Sequence, residues 1–262
     1  MFVSHRASAR TLARPADLLI RRLNAIVDLS ESEIRHIRAA AASTEATRAG
    51  RDLGADRRGP RHARFVVSGW ACRRRVLADG RRQIFGFALP GDLLDIGGPG
   101  SGDVGFAALT HVETIDAEGL RQAANDHLGL AKALAALIDQ QGRLLLDHVV
   151  RLGRMNALER LCHMLLELRE RLAVVGLADE RRLSLPLTQE MIADTLGLSI
   201  VHVNRTLQQL RQERMIELRA GVAHLVDVER MVELCDYRPY AAPALAPASP
   251  RIVHGDGVSP TA

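Results

Sequence analysis

Residues 187–207 read LTQEMIADTLGLSIVHVNRTL, and their spacing decides the fold of the C-terminal third. Ile192 and Leu196 are apolar at i and i+4, which puts them on one face of a first helix. Ala193 beside them is small enough to let a second helix approach. Gly197 follows, where a sharp turn favours a residue that tolerates positive φ. Ser199 carries the side-chain oxygen that caps the free N–H groups of a second helix. Val203, Leu207 and Leu210 then face inward at helical spacing. A helix, a glycine turn and a capped second helix form a helix-turn-helix, whose second helix enters the major groove of DNA. The competing account is a pair of ordinary amphipathic helices joined by a tight turn. Thr206 departs from the usual pattern, which has an apolar residue there.

The outward residues carry the chemistry. Arg205 suits a bidentate contact to guanine O6 and N7, and Asn204 a contact to adenine or a phosphate. Ile200 and Val201, near the exposed start, suit thymine methyl groups. Ser199, His202 and Gln208 complete the outer face, and Thr188 and Gln189 open the first helix; all nine form the candidate DNA-binding set. Downstream, Met215–Arg219 and Val222–Val226 are short strand-like runs around Ala220-Gly221, a hairpin that makes a wing. A winged helix therefore accounts for the segment better than two isolated helices.

With these residues in place, the stretch from Leu185 to Val226, "LPLTQEMIADTLGLS…VNRTLQQLRQERMIEL", resembles the C-terminal domain of Crp/Fnr-type bacterial transcription regulators. "FVVSGWACRRRVLADGRRQIFGFALPGDLLDI", from Phe65 to Ile96, resembles the β-roll sensor domain of the same family. The likeness spans about Ala16 to Tyr237 in the family's own domain order. It implies an α+β fold: an N-terminal β-roll (a jelly-roll-like double-stranded β-helix), a long dimerisation helix and a C-terminal winged helix-turn-helix. The expected divisions are a flexible arm over 1–14, helices and β-roll over 15–124, and the dimerisation helix over 125–155. The DNA-binding domain follows over 156–236, with a proline-broken, disordered tail over 237–262. The implied partners are double-stranded DNA, a second copy of the chain, RNA polymerase and a small-molecule effector.

The rest of the chain fits that outline. Pro15 opens a helix carrying Leu18, Leu19, Ile20 and Leu23, and Ser30 or Ser32 caps another through Ala41. Ala63–Val67, Trp70–Leu77 and Gln83–Leu89 read as strands, with Asp79-Gly80 a hairpin turn between the last two. Asn125 or Asp126 caps a long helix running toward Met155. Along it Ala131, Leu134, Ile138, Leu145, Val149 and Leu152 recur at three- and four-residue steps, a stripe suited to pairing with its twin. Paired helices would hold two recognition helices about 34 Å apart, one DNA turn, so that the dimer reads a palindrome. Ala157–Val174 continues as an amphipathic joint to the winged helix.

Composition sets looser bounds. The 262 residues suffice for two small domains. A formal charge of +4 favours a polyanionic partner only weakly, because the excess lies outside the winged helix. The three cysteines, Cys72, Cys162 and Cys235, are far apart and lack metal-ligand spacing, so reduced thiols in a cytoplasm are expected and no metal site. Met1 to Glu31 holds no cysteine, so the iron–sulfur signature of some family members is absent. No apolar run reaches the roughly 18 residues that span a bilayer, so no membrane partner is expected.

The signal is not legible. Cyclic-AMP-binding members use a glutamate for the ribose and an Arg-Ser or Arg-Thr pair for the phosphate. The matching stretch, Gly91–Gly98 and Asp103–Ala108, has neither, and Asp92 and Asp95 would repel a phosphate. Gly97–Gly102 reads as a flexible turn. His111, His127, His148 and Cys72 are the side chains that could ligate haem, and Cys72 or Cys162 could answer oxidants; neither motivates a cofactor, and none is expected. Asp147, His148, Glu159 and the His163–Glu167 pair imitate acid–base pairs, but with no nucleophile elbow, metal dyad or nucleotide loop the chain is not expected to be an enzyme. The alternative to a signal-controlled regulator is an effector-independent or degenerate scaffold acting through protein–protein contacts.

Overall fold

The computed structural model describes residues 14–53, 62–96 and 104–240. The arm before Arg14, the Gly97–Gly102 turn and the tail after Tyr240 lie outside the described residues. Helix α1 (Pro15–Asn24) starts on its proline, whose missing N–H costs nothing at that position. Helix α2 (Glu31–Ala40) starts on a capping box in which Ser30 and Glu33 each satisfy the other's backbone N–H. The strands β1 (Glu45–Thr47), β2 (His62–Ser68), β3 (Ala71–Val76), β4 (Arg82–Ala88), β5 (Leu93–Ile96), β6 (Val104–Ala108) and β7 (Val112–Asp116) follow. They make two antiparallel sheets, ordered β1-β7-β2-β5 and β4-β3-β6. Ala71, Ala88, Ala108, Val66, Leu94 and Val112 fill the space between them. Small residues on β3, β4 and β6 thus let the roll close tightly.

Helix α3 (Glu118–Ala123) precedes the long α4 (Leu128–Arg154). Asn125 and Asp126 fall in the turn between them, and His127 stands at the N-cap of α4 with no side-chain cap bond. The expected cap residues thus serve the turn instead. Glu33 reaches across from α2 to accept from the Leu130 N–H, satisfying one donor that the missing cap leaves free. Leu130, Ala133, Leu134 and Leu137 bury against α1, α2 and the first sheet.

Helix α5 (Ala157–Val174) begins on a second capping box, Asn156 with Glu159. Then come β8 (Arg182–Ser184), α6 (Gln189–Leu196), α7 (Ile200–Gln212), β9 (Ile216–Arg219), β10 (Val222–Leu225) and α8 (Val228–Leu234). The wing sheet is ordered β8-β10-β9. Its tip, Ala220 and Gly221, holds φ of 48° and 75°, the two positive values that a two-residue hairpin turn requires.

The chain is α+β, as expected, but its two units share one core. Cys72, Ile84 and Phe87 on the outer face of the β4-β3-β6 sheet, with Trp70 and Leu89 flanking its strands, pack in the same cluster as Leu161, Leu165, Ile192 and Leu196. Tyr237 belongs to that cluster too, and its hydroxyl donates to Glu170. The Tyr240 hydroxyl donates to Asp147 on α4. At the start of the expected tail, Tyr237 is therefore buried and Tyr240 half-buried, each on a carboxylate partner, while Arg238 and Pro239 between them are exposed.

Candidate DNA-binding site

Every element of the helix-turn-helix is fixed by a local bond. Thr188 caps α6 by accepting from the Met191 N–H at 3.1 Å, and Ser199 caps α7 by accepting from the His202 N–H at 3.2 Å. Gly197 takes φ 62° and ψ 37°, the left-handed turn, and the Leu198 N–H returns to the Ala193 carbonyl at 3.1 Å. Val203, Leu207 and Leu210 are buried as expected. Thr206 is buried as well, and its hydroxyl donates to the His202 carbonyl at 2.9 Å. That bond explains how a polar residue is tolerated at an apolar position.

The candidate reading face is free. Ser199, Ile200, Val201, His202, Arg205 and Gln208 are exposed, with Val201 at 66 %. Asn204 is half-buried at the edge of that face, and Thr188 and Gln189 are exposed at the start of α6. Val201, Arg205 and Gln208 lie on one stripe at steps of four and three, and α7 contains no acidic residue. An apolar tip followed by a guanidinium and an amide matches the donor, acceptor and methyl pattern of the major groove.

Two arginines that sequence reasoning missed hold this unit in place. Arg160 on α5 donates to the carbonyls of Leu152, Met155 and Leu196 at 2.8–2.9 Å. It thereby ties the last turn of α4 to the helix-turn-helix turn. Arg171 donates to the Phe87 carbonyl at 2.7 Å and pairs with Asp92 of the roll and Glu167 of its own helix. Burial alone would raise the Glu167 carboxyl, but Arg151 and Arg171 outweigh it and hold its pKa below the usual range. His163 also meets Arg151, at 2.9 Å, and its pKa is lowered by burial and by that guanidinium. The acid–base pair that the sequence imitated is thus an internal ion network. Glu159 caps Asn156 and Asp147 holds Tyr240.

On α4 the candidate dimer residues divide. Ile138, Leu145 and Val149 are exposed, Ile138 at 63 %. Ala131 and Leu152 are half-buried. Leu134 is only 7 % exposed and packs into the core of its own roll, so the open stripe passes one residue later. It runs Leu128, Ala131, Ala135, Ile138, Gly142, Leu145, Val149, Leu152, alternating steps of three and four throughout. That is heptad spacing, with small residues at Ala135 and Gly142.

A cavity opens between the roll and α4. It is lined by Phe85 and Phe106, by Leu93, Leu94, Leu137 and Leu144, by Gln140 and Gln141, and by Arg73 and Arg171. Its guanidiniums come from β3 and α5, which a reading of the Gly91–Gly98 loop alone could not find. Of the haem-ligand candidates, His127 packs against His36, His111 is exposed, and His148 and Cys72 are buried on different elements. Among the described residues, no three His, Cys, Asp or Glu side chains are arranged to hold a metal ion. No helix among them is long and apolar enough to cross a membrane.

Comparison with known proteins agrees with the geometry. The Crp-like helix-turn-helix domain matches residues 159–234. The nitrogen fixation regulation protein FixK of Bradyrhizobium diazoefficiens is 37% identical over 169 residues, covering 61% of this chain and 68% of that protein. FixK of Rhizobium meliloti is 34% identical, covering 62% and 72%. The solved structure of FixK2 from Bradyrhizobium japonicum superposes with a TM-score of 0.61 at 29% identity, covering 73% of this chain and 96% of that one.

Proposed function

Since the chain belongs to the Crp/Fnr family of DNA-binding transcription regulators, we propose that it works as a homodimer reading a palindromic site through α7, under the control of a signal received at the β-roll. The observation that carries this reading is the exposed, acid-free face of α7, rigidly capped and turned out to solvent. Arg205 reads guanine; Asn204 contacts adenine or a phosphate; Ile200 and Val201 meet thymine methyls. Ser199, His202, Gln208, Thr188 and Gln189 support the register through phosphates and neighbouring base edges.

Dimerisation follows from the heptad seam of α4, with Ile138, Leu145 and Val149 at its centre. A lone helix exposing that stripe leaves apolar area in water that a twin would cover. The cavity between roll and α4 takes a small effector, since apolar walls with a few amide and guanidinium groups are what a specific pocket needs. RNA polymerase is the further partner, the cytoplasm the compartment, and catalysis plays no part.

Selection of bound duplexes from a random pool tests the reading. One palindromic site with half-sites about 34 Å apart is expected. Arg205→Ala should cost roughly 1–3 kcal/mol on that site and relax one base pair per half-site. Unchanged binding by the variant would remove Arg205 from base reading.

A further inference from the structure

The recognition helix is also held from the sensor side. We propose that Arg82, the first residue of β4, is a positioning residue for α7, acting through α6. Its Nε donates to Asp194 at 2.7 Å, and its Nη2 stands 3.5 Å from Glu190. These are the two acidic residues of α6. Both carboxylates lie on the side of α6 that meets the roll, and both belong to the helix that the Gly197 turn joins to α7. One guanidinium from the roll therefore sets the pose of the helix-turn-helix and neutralises its acidic side.

The strand that carries Arg82 has two faces. Ile84 and Phe87 both pack in the winged-helix core, although strict alternation would put residues three apart on opposite faces. The register explains it: Arg73 pairs with Gly86 and Arg74 with Ile84, so Phe85 is an extra, bulged residue. A bulge re-aims side chains, and this one leaves Phe85 lining the cavity against α4. The far end of β4 is held as well, by Arg171 on the Phe87 carbonyl. One strand thus both walls the cavity, through Phe85, and grips α6, through Arg82.

This inference rests on the reading of α7 as the DNA-contacting element, and charge exchange tests it separately from that reading. Full-length Arg82→Asp and Asp194→Arg should each weaken binding to the selected duplex about tenfold and speed amide exchange across α6. The double variant R82D/D194R should restore both, and the conservative R82K should retain both. Single variants that bind like the parent, or a double variant no better than either, would overturn the assignment. If the parent itself selects no duplex, the DNA-reading function fails. Amide exchange in α6 then decides the Arg82 role: acceleration reversed by the swap upholds it, and none ends it.

Discussion

Gly197 and Leu152 stand almost in contact: a Cβ on Gly197 would lie 3.4 Å from Cδ2 of Leu152, so the turn of the helix-turn-helix rests on the last turn of α4. There is room for a methyl group at that distance, and the cost of substitution comes from the backbone. An L-residue at φ 62° is disfavoured by about 1–2 kcal/mol. Gly197→Ala should therefore destabilise the chain by about that much in urea unfolding and leave the oligomeric state unchanged. A neutral result would show that the turn relaxes out of the left-handed region.

This turn was legible in the sequence because every signal in it is local. Gly197 and Ser199 act within four residues of themselves, and the structure uses each as its chemistry suggests; the Thr188 cap of α6 is equally local, although the sequence reading takes Thr188 only as a DNA contact. Longer-range features were not legible. Asn125 and Asp126 suit a turn as well as a cap, and only the packing of α3 decides between them. Steps of three and four allow Leu134 or Ala135 in the α4 stripe, and the roll core claims Leu134. The short strands β1 and β8 and the helix α8 carry too little periodicity to be read alone. Arg82, Arg160 and Arg171 make bonds that reach across 112, 36 and 84 positions, and no pattern in an arginine-rich chain distinguishes such residues from solvated ones.

Ile138 and Val149 lie eleven residues apart on the open face of α4. Burying an aliphatic side chain contributes about 1.5–3 kcal/mol, and two-fold symmetry counts each position twice. Ile138→Arg or Val149→Glu should convert the dimer to monomer in sedimentation at micromolar concentration, with the helical signal largely kept. Leu134→Arg should instead unfold the sensor unit, because that side chain is inside it. If Ile138→Arg still sediments as a dimer, the seam lies elsewhere.

His148 is 3 % exposed, and neither ring nitrogen has a hydrogen-bond partner among the described residues. Burial, reinforced by the Arg151 guanidinium, lowers its pKa from 6.5 to about 4. The folded chain therefore resists a proton that the unfolded chain accepts. Stability is complete above pH 6.5 and is lost as pH falls toward about 4. The depressed pKa of His163 acts in the same direction. The urea midpoint should decline over that window, and His148→Leu should make the decline shallower. An equally steep decline in the variant would transfer the effect to His163 and the carboxylates.

All three cysteines are buried, and burial raises each thiol: Cys162 to about 12, Cys235 to about 11, and Cys72 above its usual value. The thiolate is the reactive form. At pH 7 a thiol with a pKa of about 12 is ionised to only about one part in 10⁵. Cys235 is further engaged, its Sγ donating to the Met231 carbonyl at 3.1 Å. Ellman titration of the native protein should show no fast-reacting thiol, and the denatured protein should show three. Peroxide at concentrations that oxidise exposed thiolates should leave DNA binding unchanged. A fast-reacting thiol in the native protein would reopen oxidant sensing. Cys72 would then be the first place to look, since it sits on β3 beside the bulged strand that carries Arg82.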